Sequence, residues 1–209
     1  AGEEGAECVL FASAAQGSYF GDGISLVLDG YGGGTLTYGA GSVYGDVEGE
    51  GDTLRLTAGE KVYLLTLSGG SLLSAEAFTR HEGAEGALFA GVNSAFTEDG
   101  ALLPFTAAGN GEYLLGSGAS AKRVLLEGDR WYVFREGLQG TAQTAEGTLT
   151  LDGFGRGSYA TQAGILSCEV VYASGRYLEL EAGGKRLFVA LDGRGSFAVG
   201  AVESSFRTL

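Results

Sequence analysis

The sequence predicts an all-β protein: an antiparallel meander of short strands from about three repeat units, arranged as a barrel-like or extended sheet. Three observations carry this expectation. Apolar residues alternate in short segments, as in Leu26/Leu28, Leu54/Leu56 and Leu178/Leu180, which places them on one face of a pleat. Glycine makes up 39 of 209 residues while proline occurs once, and the glycines punctuate those segments without a period of three. The chain also echoes itself, since Val9-Leu10-Phe11 through Gln16-Gly17 returns 123 positions later as Tyr132-Val133-Phe134 through Gln139-Gly140.

Taken in order, the first segment, Glu7 to Gly17, matches only the end of a unit. It is either the remnant of an earlier copy in a longer array or a strand that completes the sheet. In the second case Glu7 to Phe11 should pair with a strand near the C-terminal end and remove an exposed edge. The first full unit runs from about Ser25 to Leu73. Its Leu26, Leu28, Asp29, Gly30, Gly32 and Gly34 recur at the same offset as Leu149, Leu151, Asp152, Gly153, Gly155 and Gly157. One inserted residue later, Leu54, Leu56, Gly59 and Lys61 match Leu178, Leu180, Gly183 and Lys185.

Ser71 to His81 is the stretch whose spacing suits a helix as well as a strand. Ser74 to Gly100 aligns with no copy. The second unit, about Ala101 to Gly137, emerges at an offset of 46, where Leu103, Phe105, Gly109 and Tyr113 match Leu149, Leu151, Gly155 and Tyr159. At that offset Arg130-Trp131-Tyr132-Val133-Phe134 falls on Arg176-Tyr177-Leu178-Glu179-Leu180. The third unit runs from about Gly147 to Phe197. Together the units make a single repeat domain over residues 1–209, with about a dozen or more strands of about five residues. Asp-Gly and Ser-Gly pairs between strands supply the positive φ of hairpin turns. Asp29 and Asp152 recur at one repeat position, as carboxylates capping their own loops should.

Composition limits function. A net charge of −13 argues against nucleic acid, whose phosphates are gripped by clustered Lys and Arg. No apolar run reaches the roughly 18 residues of a spanning helix, so no membrane insertion is expected. Glu3, Glu4 and Glu7 stand where a signal peptide would carry its basic region, so none is expected in the chain. Cys8 and Cys168 are the only cysteines, too few for a disulfide framework; they are either two half-buried hydrophobic residues or a pair.

The run Leu149 to Tyr159, followed by Arg176 to Glu181 and Lys185 to Leu191, resembles the glycine-rich tandem β repeats of secreted or surface proteins of Gram-positive gut bacteria, which are similar to lipocalin-like meanders. The resemblance covers about three quarters of the chain. It implies a non-enzymatic module that is extracellular or on the cell surface of a bacterium, and this localisation rests on the resemblance.

Few residues of the chain carry catalytic or metal-binding chemistry. His81 is the only histidine and lies in the polar stretch Thr79 to Gly83, which reads as a solvent-facing loop. One histidine and two distant cysteines exclude a zinc set. The glycine loops after Asp29 and Asp152 lack the Lys-Ser/Thr and following helix of a phosphate cradle, and a period near 46 does not suit the short calcium-binding β-helix repeat. No catalytic residue, metal or cofactor is expected. Among the aromatics, Tyr132 and Phe134 take the inward slots of Leu178 and Leu180, leaving Trp131 and Tyr177 on the opposite face. Those two are the candidate ligand-binding residues, with cross-strand packing as their other use. The function expected is non-enzymatic binding, adhesion or scaffolding, with a protein or a glycan as ligand. A lipocalin-like carrier with an apolar barrel cavity is the alternative, and a carbohydrate-active enzyme with paired carboxylates the second.

Overall fold

The computed structural model describes residues 16–98, 100–143, 147–174, 176–191 and 201–208. The expected strand Glu7–Phe11, Cys8 and the last residues of the third unit lie outside these. The fold is all-β and barrel-like, with strands that follow one another as antiparallel meanders. The chain divides into two compact units between Phe105 and Thr106.

The first unit opens with β1 (Gln16–Phe20), β2 (Ile24–Asp29), β3 (Gly33–Tyr38) and β4 (Gly41–Glu50). It continues with β5 (Thr53–Ala58), β6 (Lys61–Ser68) and β7 (Ser71–His81). Each pairs with the next, antiparallel. Because seven is odd, the first and last strands of such a meander run the same way, and a closing pair must be parallel. Phe20 on β1 meets Ser71 on β7 in a parallel pair, which closes the ring. The period-two leucines fill its interior: Leu26, Leu36, Leu56 and Leu65 have no accessible surface.

Ser71–His81 is therefore a strand. Its helix-like spacing arises because Leu72 joins the interior whereas Phe78 packs into a separate apolar cluster with Val62, Phe89 and Phe96. The unaligned stretch that follows supplies β8 (Leu88–Ala90) and β9 (Ser94–Thr97), a hairpin added beside β7. His81 is the last residue of β7 and pairs with Leu88, so it sits in a strand and not in a loop.

The division between the units falls within β10 (Leu103–Gly109). The second unit then contains β11 (Glu112–Leu115), β12 (Lys122–Glu127) and β13 (Arg130–Val133). A second seven-stranded meander follows: β14 (Gln139–Gln143), β15 (Gly147–Asp152), β16 (Arg156–Thr161), β17 (Gly164–Ala173), β18 (Tyr177–Ala182), β19 (Lys185–Leu191) and β20 (Ala201–Thr208). Leu149, Tyr159, Leu180, Leu187 and Val189 are fully buried at its core.

Residues matched at the 123-residue offset occupy like places in the two meanders. Asp29 Oδ1 accepts from the backbone N–H of Tyr31 (2.7 Å) and Gly33 (3.0 Å). Asp152 Oδ1 accepts from Phe154 (2.7 Å) and Arg156 (3.1 Å). Both turns need the residue after the aspartate at positive φ, +81° at Gly30 and +90° at Gly153, where a side chain is strained. The inserted residue is also located. The β17–β18 ladder passes from Val170↔Leu180 to Tyr172↔Glu179, so Val171 is a β-bulge, whereas β4–β5 runs from Val47↔Leu56 to Glu48↔Arg55 without interruption. Beyond the bulge every match gains one.

Candidate functional site

An open polar groove of about 860 Å³ lies in the second unit, between β12–β13 and the outer face of β15–β18. Strand alternation decides which side chains reach it. Val124, Trp131 and Val133 share one face of β12–β13, whose cross-strand pairs are Val124↔Val133 and Leu126↔Trp131. Arg130 and Tyr132 take the other face, towards the second meander. Opposite them, Leu180 and Ala182 point into the core, and Glu169 and Glu181, paired across β17 and β18, therefore point outward.

Arg130 and Glu169 form a two-point ion pair, with Nη2 at 2.7 Å from Oε1 and Nη1 donating to Oε2 at 3.1 Å. Arg156 bridges Glu127 and Asp152, donating through Nη1 to the first and through Nε to Asp152 Oδ2 at 3.2 Å. The ring of Tyr132 has both guanidiniums beside it, Arg130 at 5.2 Å and Arg156 at 5.3 Å from its centroid. One strand register further on, Phe134 meets Phe154 edge-on at 5.4 Å, and Arg135 N–H donates to the Gly153 carbonyl at 2.8 Å. These contacts dock β13 on the Asp152 turn.

The electrostatics follow from the pairs. The hydrogen bond that Arg130 donates to Glu169 raises its guanidinium against the opposing effect of burial. Burial pulls Arg156 down, and its bonds to Glu127 and Asp152 outweigh this, so it too is raised. Both remain cations. Burial pushes Tyr132 above its ordinary value, and burial followed by the charge of Asp152 pushes the Cys168 thiol up to about 11. Cys168, at the groove floor, is a free and buried thiol that packs with the core.

The two residues singled out from the sequence separate. Trp131 is 3% exposed and faces the apolar side of β13, so its expected outward orientation is corrected. The cause is the Val171 bulge. Because β12–β13 lacks it, the true match of β13 to β18 is 47, which aligns Trp131 with the buried Leu178 and Tyr132 with the outward Glu179. A shift of one residue exchanges the two faces of a strand. Tyr177 is 41% exposed and lies 5.3 Å, ring to ring, from Tyr172.

Sequence reasoning missed Arg130, Glu169 and Arg156. Arg130 and Glu169 are 39 residues apart, and nothing in a single sequence ties them. Arg156 did carry a signal, because at the 123-residue offset it stands where the first meander has Gly33. A smaller groove of about 430 Å³ lies on the first unit around Asp46, Thr57 and Gly59, the matches of Glu169, Glu181 and Gly183. There Arg80 pairs with Glu82 (2.8 Å) and Glu98 (3.6 Å).

Among the described residues no group of three His, Cys, Asp or Glu side chains could hold a metal ion. No helix among them is long and apolar enough to cross a membrane. No family model matches the chain, and no curated protein matches it.

Proposed function

We propose that this chain is a non-enzymatic binding, adhesion or scaffold module that works outside a bacterial cell and takes a protein or glycan ligand. The observation that carries the reading is the groove of the second unit. It is open, its volume suits a ligand site, and its arginines and carboxylates are fixed in place by pairing with one another. The similarity of the Leu149–Tyr159 turn and the following strands to glycine-rich repeats of surface proteins supports the compartment.

Two other readings are weaker. A carrier needs an interior with room for its cargo, and residues lining such a room would keep accessible surface. Leu26, Leu36, Leu56 and Leu65 of the first barrel keep none. A carbohydrate-active enzyme needs a carboxylate pair placed to act on a bond, whereas Glu127, Asp152 and Glu169 are engaged by arginines.

The test is direct binding. The purified chain should bind saturably to at least one member of a panel of immobilised extracellular proteins and polysaccharides, and Arg130→Ala should weaken that binding about tenfold, or about 1.4 kcal/mol. Absence of saturable binding across the panel, or binding indifferent to Arg130→Ala, would sink the reading.

A further inference from the structure

The bulge at Val171 does more than shift a register. It lies beside the groove, and beyond it the outer face of β17–β18 carries Tyr172 (49% exposed) and Tyr177 (41% exposed), 5.3 Å apart and inclined at 31°. The matching places in the first meander hold Glu48 and Thr53, and no bulge interrupts that ladder. The second meander thus departs from the first at a bulge, a feature that re-aims side chains and is common beside functional sites. The departure exchanges a carboxylate and a hydroxyl for two exposed aromatic faces.

The neighbours of this aromatic pair have a definite chemistry. Next to it stand the Arg130–Glu169 pair at 2.7 Å and, level with Glu169 and Glu181 across the strands, Arg186, which donates to Glu179 at 3.0 Å and lies 3.8 Å from Glu181. Each pair presents donors and acceptors side by side. We infer that the outer face of β17–β18, from the Arg130–Glu169 pair to Tyr172 and Tyr177, binds a neutral saccharide chain.

A sugar ring offers an apolar C–H face, which suits an exposed aromatic ring, and a rim of hydroxyls that each donate and accept, which suits paired guanidinium and carboxylate groups. Neutrality follows from charge. Glu169, Glu179 and Glu181 outnumber Arg130 and Arg186 on this face, and the chain as a whole carries −13, so a sulfated or uronic polymer is repelled. This inference rests on the binding-module reading and names the ligand class for the face that adjoins its groove.

The experiment is native electrophoresis of the full chain through gels containing a dextran, a mannan, a xylan, a mixed-linkage β-glucan or, as anionic controls, alginate and heparin. At least one neutral polymer should retard the chain, and Tyr172→Ala or Tyr177→Ala should each weaken the retardation roughly tenfold, the scale of a lost stacking contact with its burial. Tyr172→Phe and Tyr177→Phe, which keep the ring, should retain it, as should Val92→Ser at an 84% exposed position in the first unit. Failure of every neutral polymer to retard the chain, or retardation that survives both alanine substitutions, overturns the inference. Arg130-dependent binding to a protein ligand, with all neutral polymers silent, overturns it while leaving the module reading intact. Absence of both kinds of binding removes the two together.

Discussion

Tyr44 donates its hydroxyl to Asp29 Oδ2 at 2.8 Å, and in the second meander that oxygen's counterpart on Asp152 receives Arg156 Nε at 3.2 Å instead. The two donors come from different strands. At the 123-residue offset Tyr44 corresponds to Ser167, and Arg156 to Gly33. The turn carboxylate is thus kept, its first oxygen always serves the loop backbone, and its second is satisfied by whichever neighbouring strand supplies a donor. Gly33 is small for the same reason, because a Cβ there would run into Tyr44 Oη and Asp29 Oδ2.

This exchange predicts a coupling. Gly33→Arg should destabilise the native background by steric conflict with Tyr44, and the same substitution made with Tyr44→Ser should cost less, since the serine leaves the room Ser167 leaves for Arg156. Chemical denaturation of the four members of the cycle should give a favourable coupling of about 1–2 kcal/mol. Additivity within about 0.5 kcal/mol would show that the two positions do not share the carboxylate.

Asp29 also predicts an acid limb. The N–H of Tyr31 and then the Tyr44 hydroxyl hold its carboxyl below the ordinary value of 3.8, against the effect of burial. A depressed value means the folded state prefers the charged form, so this contribution is present above pH 3.8 and is lost as pH falls through the folded value. Asn cannot titrate. Urea midpoints of Asp29→Asn measured from pH 6 to pH 2.5 should therefore fall less steeply in the acid range than those of the parent, and parallel curves would refute the assignment.

Much of the fold was legible in the sequence because its signals are local. Leu26 and Leu28, two apart, declare a buried face, and Asp152-Gly153 declares a turn whose φ only glycine adopts freely. What was not legible depends on register and distance. Val171 looks like any strand valine, yet its bulge moves every later match by one and turned the reading of Trp131 inside out. Ser71–His81 mimics helical spacing because two apolar clusters claim its Leu72 and Phe78. The groove was hidden for the same reason as most ion pairs: Arg156 and Glu127 lie 29 residues apart, and only the docking of β13 on the Asp152 turn unites them.

Cys168 should behave as a buried, protonated thiol. Burial, then the nearby Asp152 charge, pushes it up to about 11, so thiol reagents should modify the folded chain slowly below pH 9 and rapidly once it is unfolded. The linkage has the opposite sign to that of Asp29. The folded state holds this proton more tightly than the unfolded chain, so stability is fully present below the ordinary value of 9.0 and declines between there and about 11. Cys168→Ala should flatten that alkaline decline, and rapid modification of the folded chain at pH 7 would contradict the burial.

Trp131 and Tyr177 should differ in what they contribute to stability. Trp131 is 3% exposed and shares its face with Val124, which has no exposure, so Trp131→Ala removes a large buried ring and leaves a void in a packed layer. Such truncations cost about 3–5 kcal/mol. Tyr177 is 41% exposed, and its ring contact with Tyr172 is made at the surface. Its truncation should cost about 1 kcal/mol or less, the scale of a surface aromatic pair. Equilibrium denaturation reads both numbers. A large loss for Tyr177→Ala would mean that the tyrosine pair holds the β17–β18 hairpin together and is structural. A small loss for Trp131→Ala would instead place the indole outside the core, restore the 46-residue match and remove the bulge as the reason that Tyr132 and not Trp131 faces the groove.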